Sequence, residues 1–430
     1  MKKVSFIVLG GGLRSIIYSN YAKEEPDKME IVGIAEPIED RREYFKKKYD
    51  IPEENVVNDW RELLERPKMA DAVIIGTQDR MHYEPAMMAI EKGYHILLEK
   101  PMATTPEECA EIAKAAEKKG VYVIIGHVLR YAPFFCALKK LIDSGKIGKV
   151  MNIIHTEGVG NTHYAHSFTR GAWHNEAKSA PMLLAKTCHD FDILQWLVDK
   201  DFKRLHSFGK LSHFTSENKP EGAPARCADG CPHGDTCFYN TKKLYIDKET
   251  ATPWFRNAAT AAPLGTVAQD EEVIEALKTT DYGRCVYDLD NDVMDHQTVN
   301  MEFDEDIIVT FTMSAFNEGG RKITVMGTEG EMIGAAGTGD IEIFSFKDRQ
   351  KTVEKTSDIV QDETQAGGHG GGDMRLIKAL VELIGDGKTS VSFCSPTTSA
   401  KNHLAVFAAE ESRHNGTVVN FDEYLKKYGL

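Results

Sequence analysis

The chain is 430 residues long, and its size, composition and charge narrow its class. Since one domain usually has about 100–200 residues, we expect two domains, or one domain with a large elaboration. Apolar residues make up 42% and charged residues 27%, which is the composition of a globular protein with a buried core. The 66 acidic residues outnumber the 52 basic ones, and the net charge is −14. Such a surface repels phosphate backbones and anionic lipid, which argues against nucleic acid and membrane partners.

Targeting segments and a disulfide scaffold are not expected. The apolar run Val4–Leu9 ends at three glycines, and it is too short for a signal peptide. No apolar run approaches the roughly 20 residues that span a bilayer. Eight cysteines are too few for a disulfide scaffold in a chain of this length. We therefore expect a cytoplasmic protein.

The first part of the chain alternates short apolar runs with helical periodicity, which is typical of a doubly wound parallel sheet. One helix start is well marked, because Thr105 offers a capping hydroxyl, Pro106 fits the first turn and Glu108 completes a capping box. The apolar runs are near-continuous, as strands covered on both faces should be. The predicted strands are Val4–Leu9, Glu30–Ile34, Ala72–Ile75, His95–Leu98 and Val121–Ile125.

Beyond about residue 147 the pattern changes to strands in succession, several of which alternate apolar and polar residues. One face of this second sheet should therefore be covered, and the other should meet solvent or a partner. The predicted strands are Val150–Thr156, Arg204–Phe214, His296–Phe303, Ile307–Met313 and Lys322–Met326. Near the end of the chain, two predicted helices flank a short predicted strand; these are Asp373–Ile384, Thr398–His414 and Val391–Phe393.

These patterns predict an α/β protein of two domains. Residues 1–126 form a Rossmann domain with a doubly wound parallel sheet, and residues 127–430 form an α+β domain with an open, mostly antiparallel sheet. Residues 215–285 are rich in Pro, Gly, Asn and Cys and show little periodicity. We interpret them as an irregular inserted loop that needs a staple to stay ordered.

A glycine-rich turn follows the first predicted strand directly and opens a helical segment. Gly10 permits a tight turn, and Gly12 permits the close approach of a pyrophosphate. The N–H groups at the helix start, around Leu13 and Arg14, would then meet its negative charge. Ser15 replaces the third glycine of the dinucleotide-binding fingerprint. The alternative is a glycine-rich turn that binds nothing.

An acidic residue supports dinucleotide binding. Glu36 follows the second predicted strand, at the place where the fingerprint has an acid for the ribose hydroxyls. Its carboxylate would repel a 2′-phosphate, which favours NAD and makes NADP a weaker candidate. Arg41 and Arg42 lie close enough to Glu36 to weaken the preference for NAD. The alternative is that both belong to a solvated helix face.

Polar residues also follow three other predicted strands. Because open α/β sheets bind their ligands at the carboxyl ends of the strands, we expect these side chains to converge. Lys100 precedes a proline, which holds it extended, although a lysine in that place can equally be a surface residue beside a turn. The candidate cofactor-binding residues here are Thr77, Asp79, His82, Glu99, Lys100 and His127, and the candidate substrate-binding residues are Arg130 and Tyr131.

Three polar residues fall within a predicted helix from Leu183 to Leu197. Lys186, His189 and Asp190 lie three and four residues apart, so they should share one helix face. A polar trio on an otherwise apolar helix costs desolvation free energy unless it serves a ligand. The alternative is an ion pair on an exposed stripe.

Taken together, these motifs resemble the glucose-fructose oxidoreductase, inositol dehydrogenase and rhizopine-catabolism oxidoreductase family (Gfo/Idh/MocA). The glycine turn, Glu99-Lys100-Pro101 and His189-Asp190 occur in the family's order and spacing. The resemblance covers nearly the whole chain. It implies a sugar-type substrate, homo-oligomers built through the second sheet, and Lys100 and His189 as the catalytic pair.

The chain departs from the family pattern next to the histidine. Many members carry an aspartate four residues before it, and here that position is Ala185, followed by Lys186. Lys186 is therefore a further catalytic and substrate-binding candidate. It could replace the orienting role of the lost acid or contact the substrate directly.

Two further segments are candidates for substrate binding. The first is dense in His, Arg and aromatic residues, whose faces and polar edges suit a sugar, although a packed structural loop is the alternative. The second is glycine-rich and is either a hinge or a loop that delivers polar side chains to the pocket. The candidates are His163, Tyr164, His166, Arg170 and Trp173 in the first segment, and His369 and Asp373 in the second.

Three cysteines lie within eleven residues inside the inserted loop. Cys227, Cys231 and Cys237 have nearly the spacing of structural metal ligands, and Cys285 is the candidate fourth ligand. Four thiolates without a redox task favour a structural zinc ion that orders the loop. An iron–sulfur cluster, free thiols and disulfides are the alternatives. Weaker substitute ligands are His213 and His233.

The residues and the resemblance lead to one principal hypothesis and two alternatives. The principal hypothesis is an NAD-dependent oxidoreductase acting on a secondary hydroxyl or ketone of a sugar, sugar derivative or cyclitol, with Lys100 as the base and His189 sharing the proton. The first alternative is a redox-assisted glycosidase or lyase, in which His163, Tyr164 or His166 serves as an extra base. The second is a non-catalytic dinucleotide-binding sensor.

Overall fold

A computed structural model describes residues 1–262, 266–360 and 368–430. These residues form a six-stranded sheet and a nine-stranded sheet, with helices packed against them. Within the described ranges, no helix combines the length and the apolar character that crossing a membrane requires.

The first sheet is parallel throughout, as its near-continuous apolar runs predict. Its strands are β1 (Val4–Leu9), β2 (Met29–Ala35), β3 (Val56–Val57), β4 (Ala72–Ile75), β5 (His95–Leu98) and β6 (Val123–Ile125). The spatial order is β3-β2-β1-β4-β5-β6, so the chain starts near the centre and winds outward in both directions. This confirms the predicted doubly wound Rossmann fold.

Helices cover both faces of the first sheet. They are α1 (Leu13–Ser19), α2 (Tyr21–Glu24), α3 (Glu39–Tyr49), α4 (Trp60–Leu64), α5 (Tyr83–Lys92) and α6 (Pro106–Lys119). Helix α6 begins where the sequence predicts, because the Thr105 side chain accepts a hydrogen bond from the N–H of Glu108 and Pro106 is the first helical residue.

The second sheet is mixed but mostly antiparallel, as predicted. Its strands are β7 (Val150–Gly158), β8 (Phe202–Lys210), β9 (His296–Phe303), β10 (Ile308–Ser314), β11 (Gly320–Gly327), β12 (Gly330–Ala335), β13 (Asp340–Ser345), β14 (Lys351–Lys355) and β15 (Val419–Asn420). Their order is β14-β13-β12-β11-β7-β10-β9-β8-β15, and β7 and β10 are parallel neighbours. The prediction that β8 continues to Phe214 is wrong. The N–H groups of Ser212 and His213 donate to the carboxylate of Asp295 instead of a neighbouring strand.

The remaining helices surround the second sheet and reach back to the first. They are α7 (Pro133–Asp143), α8 (Asn161–Tyr164), α9 (Met182–Ala185), α10 (Cys188–Val198), α11 (Thr241–Tyr245), α12 (Pro253–Thr260), α13 (Asp270–Thr279), α14 (Thr356–Ile359), α15 (Gly372–Asp386), α16 (Pro396–Asn415) and α17 (Phe421–Tyr428). A π-helix, Ala165–Arg170, directly follows α8. Leu376 and Leu380 of α15 share a core with Phe6 and Val8 of β1, so α15 packs on the first sheet.

Two predictions for the second domain are wrong. Instead of one helix from Leu183 to Leu197 there are two, α9 and α10, separated at Lys186 and Thr187. The predicted strand Val391–Phe393 is a turn in which Val391 is 85% exposed. The apolar residues of this segment therefore do not belong to a sheet.

The insertion, residues 215–285, is more regular than predicted. It contains α11, α12 and α13, which bury a small core of their own that includes Tyr245, Phe255, Val273 and Leu277. Val273 and Leu277 lie four residues apart, a helical spacing that was present in the sequence. These helices are short and carry few apolar residues, which hid their periodicity. Residues 263–265 of the insertion lie outside the described ranges.

Candidate active site

The glycine turn between β1 and α1 leaves an open backbone surface. Gly10 has φ +85, and a Cβ atom there would lie 2.8 Å from the carbonyl oxygen of Gly76, so only glycine fits. A Cβ atom at Gly12 would meet nothing closer than 3.9 Å. Within the described residues no side chain caps α1. Its first N–H groups are therefore free to bind an anionic group such as a pyrophosphate.

Glu36 follows β2 directly and places a negative charge beside that turn. Its buried carboxylate accepts hydrogen bonds from the N–H groups of Gly11, at 2.6 Å, and Ile38, at 2.9 Å. The nearby Arg42 guanidinium donates to the backbone carbonyls of Glu36 and Pro37, at 2.6 and 3.2 Å. The Arg42 guanidinium is therefore already hydrogen-bonded to backbone carbonyls.

Glu99 follows β5 and forms a buried ion pair with Arg14. Arg14 Nε and the Tyr18 hydroxyl both donate to Glu99 Oε1, at 2.9 and 2.5 Å. Burial alone would raise the pKa of this carboxyl, but Arg14 and Tyr18 outweigh burial and hold the pKa below its usual value. Glu99 is therefore ionised, and it orients Arg14 at the cavity.

Lys100 extends from the end of β5 toward the second domain. Its Nζ donates to the carbonyl oxygen of Ala185, the last residue of α9, at 2.7 Å. The side chain is half-buried and lines a cavity that it shares with the glycine turn. The bond to Ala185 thus fixes Nζ between the two domains.

His189 lies in the first turn of α10 and is almost completely buried. Among the described residues its Nδ1 has no hydrogen-bond partner. Burial, reinforced by the neighbouring charge of Lys100, lowers the pKa of this imidazole well below its usual value. His189 is therefore neutral at physiological pH and can exchange hydrogen bonds with an uncharged hydroxyl group.

Lys186 belongs to a buried network of charges. Its Nζ lies 3.3 Å from Glu157 Oε1, and Arg321 Nε lies 3.0 Å from Glu157 Oε2. Arg321 also binds Asp190, which in turn contacts His155 Nε2 at 2.7 Å. Burial lowers the pKa of Lys186, while Glu157 acts in the opposite direction. The predicted shared helix face is wrong, because Lys186 lies in the break between α9 and α10 and Asp190 pairs with Arg321.

One cavity of about 360 Å³ brings the two domains' polar residues together. It joins the glycine turn, the ends of β4 and β5, the start of α10 and part of the insertion. Its lining residues are Gly12, Leu13, Arg14, Gly76, Thr77, Asp79, Glu99, Lys100, His163, Ser167, Phe168, Trp173, Ala185, Lys186, His189, Trp254 and His369.

The side of the cavity opposite the glycine turn is aromatic. The His163 ring packs edge-on against Trp254, with centroids 5.0 Å apart, and it also contacts Phe168. Burial, with a smaller effect of the Lys186 charge, lowers the pKa of His163 to about 3, so this imidazole is neutral. The Trp173 indole donates to the carboxylate of Asp79 at 3.2 Å, which ties this wall to the first domain.

Sequence reasoning missed part of that aromatic wall. Ser167 and Phe168 lie inside the segment singled out for its aromatic residues, between residues that were named. Trp254 comes from α12 in the insertion and is 44% exposed. A signal was present, because Thr252 and Pro253 form the cap and first residue of a helix immediately before it.

A polar chain links His369 to the first domain. His369 Nδ1 lies 3.1 Å from Asp373 Oδ1, and Arg14 Nη2 donates to the same carboxylate at 2.8 Å. Burial would raise the pKa of Asp373, but His369 and Arg14 hold it below its usual value. His369 lines the cavity, whereas the fully buried Asp373 lies behind it.

Several predicted ligand-binding residues do not line the cavity, because their side chains bind or pack against other residues of the protein. Arg130 forms a buried two-point ion pair with Asp192, at 2.7 and 2.8 Å. His127 also contacts Asp192, at 3.0 Å, and stacks on His403. The buried Tyr131 packs in the core of the first sheet.

The same holds on the other side of the cavity. The Tyr164 hydroxyl donates to the carbonyl of Val293 at 2.9 Å, and His166 stacks on Phe255 with centroids 4.2 Å apart. Arg170 donates to two backbone carbonyls in the insertion. His82 bridges two segments near the cavity, because its ring nitrogens lie 2.7 and 3.2 Å from the carbonyl oxygens of Pro101 and Thr77.

The four candidate metal-ligating cysteines surround a second, much smaller cavity of about 20 Å³. All are free thiols, and they are Cys227, Cys231, Cys237 and Cys285. In the described part of the chain, the group whose metal-ligand atoms converge within 4.8 Å is a different one, His127, Asp192 and Cys394. Arg130 already neutralises Asp192 there. The zinc ion therefore stays a prediction.

Comparison with known proteins identifies the family from both domains. Residues 4–127 match the description "Oxidoreductase family, NAD-binding Rossmann fold", and residues 139–421 match "Oxidoreductase family, C-terminal alpha/beta domain". The chain belongs to the Gfo/Idh/MocA family. Both the predicted family and an NAD-binding Rossmann domain are thereby confirmed.

Individual relatives are distant. The protein YteT of Bacillus subtilis (strain 168) is 24% identical over 398 residues, which is 88% of each chain. Inositol 2-dehydrogenase of Salmonella typhimurium (strain LT2) is 28% identical over 178 residues, 41% of this chain and 49% of that protein. The scyllo-inositol 2-dehydrogenase (NADP(+)) IolW of Bacillus subtilis (strain 168) is 29% identical over 222 residues, 52% of this chain and 56% of that protein. The match therefore spans about half the length of these two dehydrogenases.

Solved structures share the fold over nearly the full length. Levoglucosan dehydrogenase in complex with NADH and L-sorbose has a TM-score of 0.70 at 18% identity, over 98% of this chain and 99% of that one. An oxidoreductase of Agrobacterium radiobacter in complex with NAD+, L-tartaric acid and magnesium has a TM-score of 0.69 at 14% identity, with 98% and 99% covered.

Proposed function

We propose that the protein is an NAD-dependent oxidoreductase that transfers hydride between the nicotinamide and a secondary hydroxyl or ketone of a sugar, sugar derivative or cyclitol. The observation that carries this proposal is that Lys100 and His189 line one cavity together with the glycine turn. Its volume of about 360 Å³ suits a small polar ligand. The similarity to inositol dehydrogenases and the fold shared with levoglucosan dehydrogenase support the substrate class.

The first domain has the features that a dinucleotide requires. Gly10 and Gly12 leave the backbone open to a pyrophosphate, and the Glu36 carboxylate beside this turn supports a contact to the ribose hydroxyls. We propose NAD over NADP, because a carboxylate beside the glycine turn repels a 2′-phosphate and Arg42 is held by backbone carbonyls. When bound there, NAD would supply the acceptor for a hydride from the carbinol carbon.

Lys100 is the proposed base for the hydroxyl proton. The carbonyl of Ala185 holds its Nζ in the cavity by a single hydrogen bond, and the neutral amine form of Lys100 has a lone pair that accepts the hydroxyl proton and gives the ammonium form. His189 supplies a neutral imidazole beside it, which orients the reacting hydroxyl or shares its proton. In the reverse direction the Lys100 ammonium donates its proton to the ketone oxygen.

Lys186 is better suited to positioning than to proton transfer. It contacts Glu157, and it directly follows Ala185, whose carbonyl holds Lys100. We propose that the network from Lys186 to Arg321 fixes the break between α9 and α10. That break aims the Ala185 carbonyl at Lys100 and the His189 ring into the cavity.

The remaining lining residues form the proposed contacts to the sugar. Indole and imidazole rings pack on the C–H faces of a sugar, and their N–H groups meet its hydroxyls. The proposed contacts are His163, Trp173, Trp254 and His369.

The experiment that tests the proposal is an assay of NADH formation over a panel of sugars, sugar acids and cyclitols. We expect at least one secondary alcohol to support turnover that requires both NAD and Lys100. Tight NADH binding without turnover on any panel member, together with unchanged behaviour of a Lys100→Met variant, would favour the dinucleotide sensor.

A redox-assisted lyase or glycosidase is a second candidate, and His163 is the observation that favours it. Of the three extra bases considered from the sequence, only His163 lines the cavity; Tyr164 and His166 are buried behind it. Substrate consumption that needs NAD but yields no net NADH would identify this reaction.

We also propose that the protein forms a homo-oligomer through the outer face of the second sheet. Ile154 and Ile308 lie exposed on the neighbouring strands β7 and β10, and Ile333 lies exposed on β12, with β11 between β12 and β7. Such an apolar surface is unusual for a face in solvent. Light scattering should report a mass of two or more chains. Replacing Ile154 and Ile333 by Asp should reduce the mass to that of one chain.

A further inference from the structure

We propose that Cys227, Cys231, Cys237 and Cys285 together bind one structural zinc ion, and that this ion fixes the insertion against the aromatic wall of the active-site cavity. The proposal goes beyond hydride transfer, because the metal touches neither substrate nor cofactor. It assigns a task to four thiols that the reaction does not use.

Backbone pairing brings the first and last of these cysteines together. Across a short antiparallel bridge, the N–H of Cys227 donates to the carbonyl of Gly283 at 3.2 Å, and the N–H of Cys285 donates to the carbonyl of Ala225 at 2.9 Å. The two ends of the insertion are thus side by side, with a thiol on each.

Two consecutive turns present the other two thiols. The N–H of Gly234 donates to the carbonyl of Cys231 at 3.2 Å, and the N–H of Cys237 donates to the carbonyl of His233 at 2.8 Å. This compact arrangement folds the segment back, and Cys231 and Cys237 line the small cavity together with the two cysteines of the bridge.

The size of that cavity selects a single ion. Its volume of about 20 Å³ holds roughly one water-sized sphere. Four thiolates are soft ligands that prefer zinc in a closed tetrahedral site, and such sites have Zn–S distances of about 2.3 Å. An iron–sulfur cluster needs room for several iron and sulfide ions. Zinc binding would draw the sulfur atoms inward onto the cavity centre.

A buried arginine supplies an independent observation. Arg170 lines the same cavity and is only 2% exposed, yet it donates hydrogen bonds to the carbonyls of Arg284 and Tyr239, at 2.8 and 2.9 Å. Among the described residues it forms no ion pair with a carboxylate, and its Nη1 has no hydrogen-bond partner. A buried cation without a counter-charge is costly. Zinc with four thiolates carries a net charge of −2, and it would provide that counter-charge.

The same arginine connects the proposed metal site to the active site. Arg170 is the last residue of the π-helix Ala165–Arg170, whose Ser167 and Phe168 line the large cavity. Its two carbonyl partners lie next to Cys285 and two residues after Cys237. The insertion also supplies Trp254, which packs against His163. Loss of the ion should therefore disturb the aromatic wall and leave the glycine turn unchanged.

The first test measures metal on the wild-type protein, without any activity assay. Elemental analysis of untagged protein, purified without chelator from zinc-supplemented medium, should give about one zinc per chain. Exchange with Co²⁺ should produce the visible absorption of tetrahedral thiolate coordination. Protein without bound metal, or protein with iron and sulfide and a visible spectrum of its own, would overturn the proposal.

The second test removes one ligand and compares it with a matched cysteine. Cys231→Ser should lose the zinc and the cobalt spectrum, and residues 215–285 should become sensitive to limited proteolysis. Cys136→Ser is the control, because Cys136 is a half-buried free thiol on α7, outside the insertion. A Cys231→Ser protein that keeps its metal would contradict the assignment. If this variant does not fold, Arg170→Gln tests the same site, since its metal should be removed faster by a chelator.

The third test separates the coupling from the metal itself. Cys231→Ser should raise KM for the substrate about tenfold and change the Kd for NADH by less than about twofold, because only the aromatic wall moves. Trp254→Ala should raise KM similarly while retaining zinc. An unchanged KM in a metal-free variant would show that the ion stabilises the insertion alone. If the protein does not catalyse the proposed reaction, the metal measurements still test the zinc site, because they need no activity assay.

Discussion

The two walls of the active-site cavity are held in different ways. The cofactor wall consists of Gly12, Thr77, Glu99 and Lys100 at the ends of parallel strands, where the backbone ladder of the sheet sets each position. The aromatic wall comes from the π-helix, from the loop that carries Trp173 and from α12 in the insertion. No common sheet joins these three segments, and they meet through ring stacking and Arg170.

This difference predicts which wall tolerates change. A strand end cannot move without breaking its ladder, so chemistry that depends on sub-ångström placement belongs on the cofactor wall. Segments joined by packing can be exchanged or lengthened at less cost, so the aromatic wall is the place where specificity can vary. Variants of the two walls should therefore differ in kind: changes in kcat on one side, changes in KM on the other.

The largest expected effect lies at Lys100. Lys100→Met removes the proposed base and should lower kcat by about 10²–10⁴, the range that general-base catalysis contributes. NADH affinity should stay nearly constant, because the glycine turn is untouched. Stopped-flow measurement of NADH formation, with nucleotide fluorescence for binding, gives both numbers. Lys186→Met is the matched comparison, because Lys186 lines the same cavity but is proposed only to position Lys100 and His189, so its loss of kcat should be smaller; a larger loss in this variant would transfer the role of base to Lys186.

The next effect concerns the aromatic wall. Trp254→Ala should raise KM for a good substrate about tenfold, which corresponds to roughly 1.4 kcal/mol of lost contact, and should leave kcat within about threefold. Phe238→Ala is a suitable control, because Phe238 is an exposed aromatic of the insertion that does not line the cavity. A fall in kcat with unchanged KM would mean that the aromatic wall also positions the reacting carbon.

These walls also differ in how far the sequence predicted them. Strand runs and the glycine turn are local patterns, so Gly12, Glu36 and Lys100 could be identified without a structure. Trp254 reaches His163 from about ninety positions along the chain, and no local pattern reports that contact. Arg130 shows the opposite error. It has the chemistry and the strand-end position of a ligand-binding residue, but Asp192, far along the chain, neutralises it in the core.

A smaller effect, on nucleotide preference, is expected from a substitution of Glu36 beside the cofactor wall. Glu36→Gln removes the charge but keeps the hydrogen-bond acceptor for the N–H of Gly11. The ratio of NADPH to NADH affinity should then rise about five- to tenfold, because like-charge repulsion of a 2′-phosphate disappears. Fluorescence titration of both nucleotides measures the ratio. A wild-type preference for NADPH would instead assign control of this position to Arg41 or Arg42.

The last comparison concerns stability and uses one buried histidine behind each wall. His403 accepts a hydrogen bond from the N–H of Met102, next to the Lys100-Pro101 segment, and its Nδ1 donates to the carbonyl of Ser399, so only the neutral ring fits. His166 stacks on Phe255 behind the aromatic wall. In both cases burial lowers the pKa to about 3, with help from His127 at His403 and from Arg170 at His166.

For each ring the unfolded chain binds a proton below pH about 6.5, while the folded protein does so only near pH 3. Between these values the unfolded state holds more protons, so the free energy of unfolding should fall as the pH falls. The slope per histidine is at most about 1.4 kcal/mol per pH unit. Urea unfolding between pH 7 and pH 5 should show a shallower slope in His403→Gln and in His166→Gln than in the wild type. Equal slopes in the wild type and both variants would mean that water reaches these rings before the protein unfolds.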